Sequence, residues 1–216
     1  MTGPRIALVH ALAHSVAPIN DAMARSWPEA QRVNLLDDSL SSDLAQGRGG
    51  EAMQHRFLNL ASYAIGSGAD AILFTCSAFG TYIEHVQRQW PALPILKPNE
   101  AMIDEAMTMA GGRPIGLVAS FAPTAESMPR EFPADARVDV ELAGAALSAL
   151  DAGDAGTHDR AALRAAEALV RRGSAVVALA QFSLARAAPL LRSSLGVPVL
   201  TTVDSAIAAL RRRVEG

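Results

Sequence analysis

Short apolar runs alternate with longer amphipathic stretches along the chain. Eight runs are typical of buried parallel strands; they lie at residues 5–10, 32–37, 71–74, 94–96, 114–118, 137–142, 174–180 and 198–200. The stretches with helical periodicity lie at residues 16–26, 51–65, 81–89, 99–110, 157–172, 183–194 and 204–214, with a short helix from about residue 124. This alternation predicts an α/β fold with parallel sheets covered by helices on both faces. Residues 38–50 are polar and glycine-rich at their end, and we interpret them as a loop and a candidate mobile lid.

The order of these elements repeats. Residues 6–9 match 115–118, residues 32–33 match 137–138, residues 71–76 match 176–181, and residues 94–96 match 198–200. A repeat of this length indicates a duplicated domain rather than a solenoid. We therefore predict two Rossmann-like subdomains, residues 1–110 and 111–216, related by a pseudo-twofold axis. The active site is expected in the cleft between them, and the last helix is free to pack back on the first half.

Composition narrows the classes of function. The net charge is −3 with acids and bases mixed, and no basic stripe marks a nucleic-acid surface. No apolar run reaches the roughly eighteen residues that cross a membrane. A single cysteine excludes an internal disulfide and, with no signal-peptide layout at the start, indicates the cytoplasm. No group of histidines and acids has metal-ligand spacing, so we expect no metal site.

That cysteine, Cys76, follows the third predicted strand and precedes a helix. Ligands bind at such strand ends in α/β proteins, because unpaired N–H groups and the helix dipole favour an anion there. The same field is expected to lower the pKa of the thiol and raise its thiolate fraction. The alternative is a buried cysteine that acts only as a small hydrophobic side chain.

Thr75-Cys76-Ser77 followed by Gly80 is similar to the first cysteine turn of the aspartate/glutamate racemase superfamily. Thr124 and Ser127 fit the carboxylate-binding turn of its second half, with Ser15 as the counterpart in the first half. The resemblance covers nearly the whole chain. It implies two α/β halves whose two cysteines, one from each half, move a proton on opposite faces of the substrate's α-carbon. Members include hydantoin racemases, maleate cis-trans isomerases and arylmalonate decarboxylases, and the decarboxylases retain one of the two cysteines.

The chain departs from the family at Gln181, which stands where the second cysteine is expected. A carboxamide has no pKa near neutrality and cannot act as general acid or base. Ser183 replaces it only if a base lies beside it. Two-thiol racemisation is therefore not available, although Gln181 and Ser183 remain candidates for binding the substrate.

Histidine offers a second proton-transfer group. His10 ends the first strand, where related racemases carry an acidic residue, and His14 in the same loop competes for the role. The alternative for His10 is a packed loop histidine. Thr75 and Ser77 are candidate donors to an enolate oxygen, or ordinary turn residues. Thr124 and Ser127 read equally well as a helix N-cap and a first-turn residue, which is compatible with binding a carboxylate.

The resemblance and the departure together predict an enzyme without metal or organic cofactor. It acts at the carbon next to a carboxylate of a small acid, and Cys76 supplies decarboxylase-like or isomerase-like proton transfer. One alternative is an amino-acid racemase that uses Cys76 with His10 as the second base. Another, of a different class, is a non-catalytic carboxylate-binding protein. The sequence leaves the substrate, the stereochemistry and a homo-oligomeric state open.

Overall fold

The structure, a computed structural model, describes residues 3–216 and contains two four-stranded parallel sheets with flanking helices. The predicted α/β fold with two parallel sheets is thereby confirmed. The strands are β1 (Arg5–His10), β2 (Gln31–Leu36), β3 (Ala71–Phe74), β4 (Ile95–Leu96), β5 (Ile115–Ala119), β6 (Val138–Leu142), β7 (Val176–Leu179) and β8 (Val199–Thr201). The helices are α1 (Val16–Ser26), α2 (Ser39–Ala45), α3 (Glu51–Gly66), α4 (Gly80–Gln89), α5 (Glu100–Ala110), α6 (Ala122–Ser127), α7 (Gly144–Asp151), α8 (Ala155–Arg171), α9 (Ala188–Ser194) and α10 (Thr202–Glu215).

The two sheets have the same strand order, β2-β1-β3-β4 in the first and β6-β5-β7-β8 in the second. In the first sheet Ile6 of β1 lies opposite Ala71 of β3, and in the second Ile115 of β5 lies opposite Val176 of β7. The inner strands are buried almost throughout, whereas the edge strand β2 is partly exposed. Because all strands are parallel, their carboxyl ends share one edge of each sheet. His10 ends β1 at this edge of the first sheet, Cys76 follows β3 there, and Gln181 follows β7 at the corresponding edge of the second sheet.

By internal contacts the chain forms two compact units. The first runs to Pro98 and is completed by Ala206–Gly216, and the second is Asn99–Ser205. Helix α5 belongs to the second unit, because its apolar face packs in one cluster with β5 and β7. The border found from contacts therefore precedes α5, whereas the sequence pattern placed it after that helix.

Two helices lie where the sequence predicted none. Residues 38–50 were expected to form a polar loop, but α2 occupies most of the segment, and α7 fills the corresponding place in the second half. Leu40 of α2 and Ala146 of α7 are fully buried, so each short helix is fixed by packing against its unit. Seven or eight residues are too few for the sequence pattern alone to predict a helix, because short helices depend on tertiary contacts.

The cores of the two units are built differently. The first is aromatic: Phe57 stacks on Phe74 with ring centroids 5.4 Å apart and also contacts Phe79 and Tyr82 at 5.0 and 5.6 Å. The corresponding cluster of the second unit contains no aromatic side chain and is lined mainly by alanines, many of them on α8. Small side chains let a helix approach its sheet closely, and α8 therefore leaves little space beside β5.

Gly116 in β5 is required by that approach. A methyl group added there would lie 2.9 Å from Cβ of Leu169 on α8 and 2.9 Å from Oγ of Ser174. The matching residue of the first half is Ala7, which is fully buried and tolerates its methyl group. The duplicated halves thus keep the same topology while their helix-to-sheet packing differs.

No helix within the described residues is long and apolar enough to cross a membrane.

Candidate active site

Cys76 lies directly beyond the carboxyl end of β3, in extended conformation (φ −118°, ψ 121°). A short 3₁₀ turn, Ser77–Phe79, follows it and leads into α4. This is the strand-to-helix turn that the sequence predicted. Ser77 opens the turn and is buried, so the turn presents the cysteine between a strand end and a helix start.

The cysteine faces a narrow pocket inside the first unit. Its lining consists of Val9, His10, Ala11, Leu40, Phe57, Phe74 and Cys76. The pocket is too narrow to admit a water-sized molecule. Most of the lining is apolar, and Leu40 reaches the pocket from α2, the helix that replaces the predicted loop. The sulfur is therefore covered in this conformation.

Burial raises the pKa of the Cys76 thiol to about 11, although the residue keeps some exposed surface. The backbone N–H of Ala78 and the hydroxyl of Ser41 oppose this rise by hydrogen bonding, but burial outweighs them. The expectation of a lowered pKa at this turn is thus wrong. The helix and turn dipoles favour a thiolate less than the apolar lining disfavours it. At neutral pH the side chain is a protonated thiol.

His10 ends β1 on the same edge of the sheet and is fully buried. Its Nδ1 lies 2.8 Å from the Thr75 hydroxyl, and its Nε2 lies 2.9 Å from the Asn34 side-chain oxygen. Burial lowers the pKa of the imidazole, against a smaller opposing effect of the Asn34 hydrogen bond. The neutral ring that fits both contacts donates from Nε2 to Asn34 and accepts at Nδ1 from Thr75.

This network leaves no ring nitrogen of His10 unoccupied. Asn34 is itself held by the amide of Asn20, whose Nδ2 donates to Asn34 Oδ1 at 2.8 Å. The Thr75 hydroxyl also lies 3.3 Å from the Val9 carbonyl oxygen. The geometry is that of a packed, satisfied histidine that ties β1, β2 and the turn after β3 together.

The pKa of His10 predicts a pH-dependent contribution to stability. Because the folded state holds the pKa below 6.5, the unfolded chain binds a proton first as the pH falls. The free energy of unfolding is expected to be unaffected by this group above about pH 6.5 and to decrease below it. The His10→Gln variant removes this dependence, so urea unfolding at pH 7.5 and 5.0 should show its stability deficit shrinking at the lower pH.

The window from pH 5.0 to 7.5 lies above the pKa values of the four aspartates whose pKa is lowered from 3.8. The comparison of His10→Gln with wild type cancels the titratable groups that the two proteins share. An exposed histidine of α3, His55, provides the matched control variant, His55→Gln. If His10→Gln lowers the free energy of unfolding by the same amount at both pH values, burial does not perturb the pKa of the imidazole.

In the second unit Gln181 occupies the position that Cys76 has in the first. It follows β7 in the same extended conformation (φ −131°, ψ 150°) and precedes a 3₁₀ turn, Phe182–Ala187. Its side-chain Oε1 accepts a hydrogen bond of 2.9 Å from the backbone N–H of Ser120, directly after β5. This contact fixes the orientation of the amide and leaves its NH₂ group as the free donor side. Ser183 lies buried inside the 3₁₀ turn.

Thr124 and Ser127 do not have the helix positions that the sequence suggested. Helix α6 begins at Ala122 with Phe121 as its N-cap, so Thr124 is the third helical residue and Ser127 the last. The N-cap reading of Thr124 and the first-turn reading of Ser127 are therefore wrong. Thr124 is fully buried, and the Ser127 hydroxyl is a buried group without a hydrogen-bond partner among the residues that the structure describes.

Two candidates lie on the loop after β1. Ser15 is buried and stands at the N-cap of α1, but its side chain makes no capping hydrogen bond. His14 is half-buried in the 3₁₀ turn Ala13–Ser15. Within the first unit the structure thus brings His10, Thr75 and Cys76 together, and within the second it joins Gln181 to Ser120.

Sequence reasoning missed three contributors to the site, Ser41, Asn34 and Ser120. Ser41 lies in the segment predicted as a loop, and Asn34 lies on an edge strand, so neither carried a signal. Ser120 contributes its backbone N–H, which no residue type reveals. Among residues 3–216 no three histidine, cysteine or acidic side chains are grouped so as to hold a metal ion.

Comparison with known proteins identifies the family. Residues 13–210 match the family model for Asp/Glu/hydantoin racemases. A glutamate racemase isoform from Bacillus anthracis shares the fold with a TM-score of 0.78 at 11% identity, over 100% of this chain and 83% of its own. An allantoin racemase from Pseudomonas fluorescens gives 0.71 at 18% identity, over 98% and 91% of the two chains. A mutant arylmalonate decarboxylase in its sulfate-associated form gives 0.68 at 19% identity, over 99% and 94%.

No curated protein matches the chain in sequence. The structural neighbours are too distant to establish more than the fold, but the family model covers most of the chain and agrees with the resemblance seen at the Cys76 turn. The chain therefore belongs to the Asp/Glu/hydantoin racemase family and is an enzyme of the racemase superfamily.

Proposed function

We propose that this enzyme uses Cys76 as its single proton donor in a decarboxylase-like reaction on a small acid, with no metal or organic cofactor. The observation that carries the proposal is Gln181, the repeat-equivalent of Cys76, whose carboxamide is fixed on the Ser120 N–H. A proton can then be delivered through a side chain of the first unit but not through its counterpart. One-sided delivery suits a reaction that adds one proton and removes none.

In the proposed reaction the substrate carries two carboxylates on one carbon. The bond to one carboxylate breaks, CO₂ leaves, and the electron pair remains on the carbon as a planar enediolate. The Cys76 S–H gives its proton to that carbon and becomes a thiolate. Solvent returns a proton to the sulfur, so the enzyme is restored and the product is the monocarboxylate.

The resting state of the thiol supports this role. A donor has to be protonated before the reaction, and burial keeps Cys76 as a thiol at neutral pH. A racemase base or an isomerase nucleophile would have to be a thiolate, which a pKa of about 11 disfavours. We therefore rank decarboxylation above cis-trans isomerisation, which also needs only one thiol.

The substrate's remaining carboxylate needs hydrogen-bond donors. We propose that the amide NH₂ of Gln181 serves as one, since its oxygen is already used by Ser120. The hydroxyls of Ser15, Ser77, Thr124, Ser127 and Ser183 stay candidates for the same role. The Thr75 hydroxyl is occupied by His10 and is assigned to holding the turn.

Racemisation through His10 as a second base is the alternative that the geometry favours least. Both ring nitrogens have partners, and protonation of the ring is opposed by burial. For His10 to remove a substrate proton, it would have to give up Thr75 or Asn34. We assign His10 to positioning the Thr75-Cys76 turn.

A substrate screen in deuterated water tests the proposal. Arylmalonates, racemic amino acids and maleate are incubated with the enzyme and followed by NMR. The expected result is CO₂ loss from a malonate, with one deuterium placed on one face of the product. Exchange of the α-proton of an amino acid would contradict the one-donor mechanism. Binding of a diacid without turnover of any substrate would favour the carboxylate-binding protein.

We further propose that the enzyme works in the cytoplasm, because its function depends on one reduced thiol in a chain with no second cysteine. Its partner is then a small carboxylate, with no role for nucleic acid. A homo-oligomeric state stays a prediction, and light scattering tests it.

A further inference from the structure

Two side-chain amides extend the hydrogen bonds of His10 away from the core. His10 Nε2 lies 2.9 Å from Oδ1 of Asn34, which stands on the edge strand β2. Asn34 Oδ1 also accepts from Asn20 Nδ2 of α1 at 2.8 Å, and Asn34 Nδ2 donates back to Asn20 Oδ1 at 3.2 Å. Asn20 Nδ2 has a second acceptor, the Val16 carbonyl oxygen, at 2.8 Å. A continuous chain of hydrogen bonds thus joins the Val16 carbonyl to the buried imidazole.

The Val16 carbonyl sets the direction of this chain, because a carbonyl oxygen only accepts hydrogen bonds. It requires the NH₂ group of Asn20 at this contact, and the second proton of that group points to Asn34. The Asn34 atom that meets this proton has to be the oxygen, since turning its amide over would set two NH₂ groups against each other. Asn34 therefore presents an acceptor to His10, and His10 carries its proton on Nε2.

The Thr75 hydroxyl does not select the tautomer, because it fits both. With the proton on Nε2 of His10, the hydroxyl donates to Nδ1 at 2.8 Å. With the proton on Nδ1, it would accept from the ring and donate to the Val9 carbonyl oxygen, which lies 3.3 Å away. That distance exceeds the usual range for a hydroxyl donor, so the reversed arrangement would draw Thr75 toward β1. Asn34 is the group that disfavours this reversal.

We propose that Asn34 is a positioning residue for Cys76: it holds the neutral His10 ring with its proton on Nε2 and so commits the Thr75 hydroxyl to His10. The Thr75 N–H donates to the Val9 carbonyl oxygen at 3.0 Å, and Cys76 is the next residue. A turn held in one arrangement keeps the thiol in one place, and about 1 Å of misplacement can cost a hundredfold in rate. The inference rests on the proposed function, because it assigns Asn34 to the turn that carries the proton donor.

Asn34 can be replaced without opening a cavity, since its side chain is exposed on the edge strand. Asn34→Leu is similar in size and removes the acceptor that faces Nε2. Asn34→Asp keeps an oxygen that only accepts. The matched control is Gln31→Leu, because Gln31 is an exposed amide on the same strand that donates instead to the Gly3 carbonyl oxygen at 3.3 Å.

NMR of ¹⁵N-histidine-labelled enzyme measures the tautomer directly. The chain contains five histidines, and the His10→Gln variant identifies the His10 signals by their loss. At pH 8 the lowered pKa of His10 keeps its ring neutral, and the chemical shifts distinguish the protonated ring nitrogen from the unprotonated one. Circular dichroism restricts the comparison to folded protein. Wild type is expected to carry the proton on Nε2 alone.

Asn34→Leu is expected to populate both tautomers of His10, because loss of one hydrogen bond changes their ratio about two- to tenfold. Asn34→Asp and Gln31→Leu should keep the proton on Nε2. For the malonate found in the substrate screen, kcat should fall about two- to fivefold in Asn34→Leu with KM unchanged, and recover in Asn34→Asp. A wild-type His10 spectrum in Asn34→Leu would overturn the proposal.

The two proposals fail separately. If Cys76→Ala keeps its activity, the proposed function is wrong, whereas the NMR spectra still show whether Asn34 sets the His10 tautomer. If Cys76→Ala is inactive but Asn34→Leu matches wild type in spectrum and turnover, the proposed function stands and the role of Asn34 is rejected. A changed tautomer with unchanged kcat also rejects it, because the thiol would then be positioned without Asn34.

Discussion

The Cys76→Ala variant is expected to lose about 10²- to 10⁴-fold in turnover while remaining folded. The thiol is the one group that the proposed reaction requires to transfer a proton, and its counterpart Gln181 cannot replace it. The loss should appear in kcat, because alanine removes an interaction made only in the transition state and leaves the carboxylate donors intact. Rates of CO₂ release, with circular dichroism for the fold, give the measurement.

The Cys76→Ser variant is the matched control. It keeps a polar group of similar size at this position, but a serine hydroxyl is a far weaker acid than a thiol, so this variant should be nearly as inactive as Cys76→Ala. Activity within a few-fold of wild type in Cys76→Ala would remove Cys76 from the mechanism. Activity in Cys76→Ser alone would show that the position needs a hydrogen-bond donor rather than an acid.

The Gln181→Cys variant is expected to gain racemisation of a product that the wild type makes as a single enantiomer. The new thiol stands at the repeat-equivalent of Cys76, beyond β7, and supplies a second proton-transfer group. The gain should be modest, because a misplacement of about 1 Å can cost a hundredfold. The new side chain also gives up the Ser120 hydrogen bond. Deuterium wash-in and loss of optical purity of the product measure the gain.

The Gln181→Ala variant separates the new thiol from the lost carboxamide. It should show no racemisation and a higher KM, since it lacks both the thiol and the proposed carboxylate donor. A wild type that already exchanges and racemises a chiral product in deuterated water would defeat the prediction. A second base would then already be at work, and His10 would be the first to test.

Most of the fold could be read from apolar runs, because strand burial leaves a strong signal. The runs that end at His10 and Phe74 predicted the shared edge at which Cys76 lies. The short helices α2 and α7 were missed because they are fixed by tertiary packing. Leu40, for example, is buried against a pocket whose other walls come from β1, α3 and β3.

The chemistry of the candidate site likewise depends on tertiary contacts that the sequence pattern does not reveal. The position of Cys76 could be predicted from its own strand and turn, but the direction of its pKa shift could not. That direction depends on Leu40 and Phe57, which are distant from Cys76 in sequence and remove water from the sulfur. His10 was recognised as a candidate, yet its role depends on Asn34 and Thr75, which lie 24 and 65 positions away.

The discontinuous first unit has a consequence for how the protein is made. Its second piece, Ala206–Gly216, is translated after the second unit, Asn99–Ser205, which is contiguous. Arg211 of that piece lies over the buried Trp27 ring at 6.0 Å and donates to the Ser26 carbonyl oxygen at 3.1 Å. The nascent second unit can therefore fold first. The half that carries Cys76 is completed only after the whole second unit has been translated, and loss of Ala206–Gly216 would harm the unit that also contains β1.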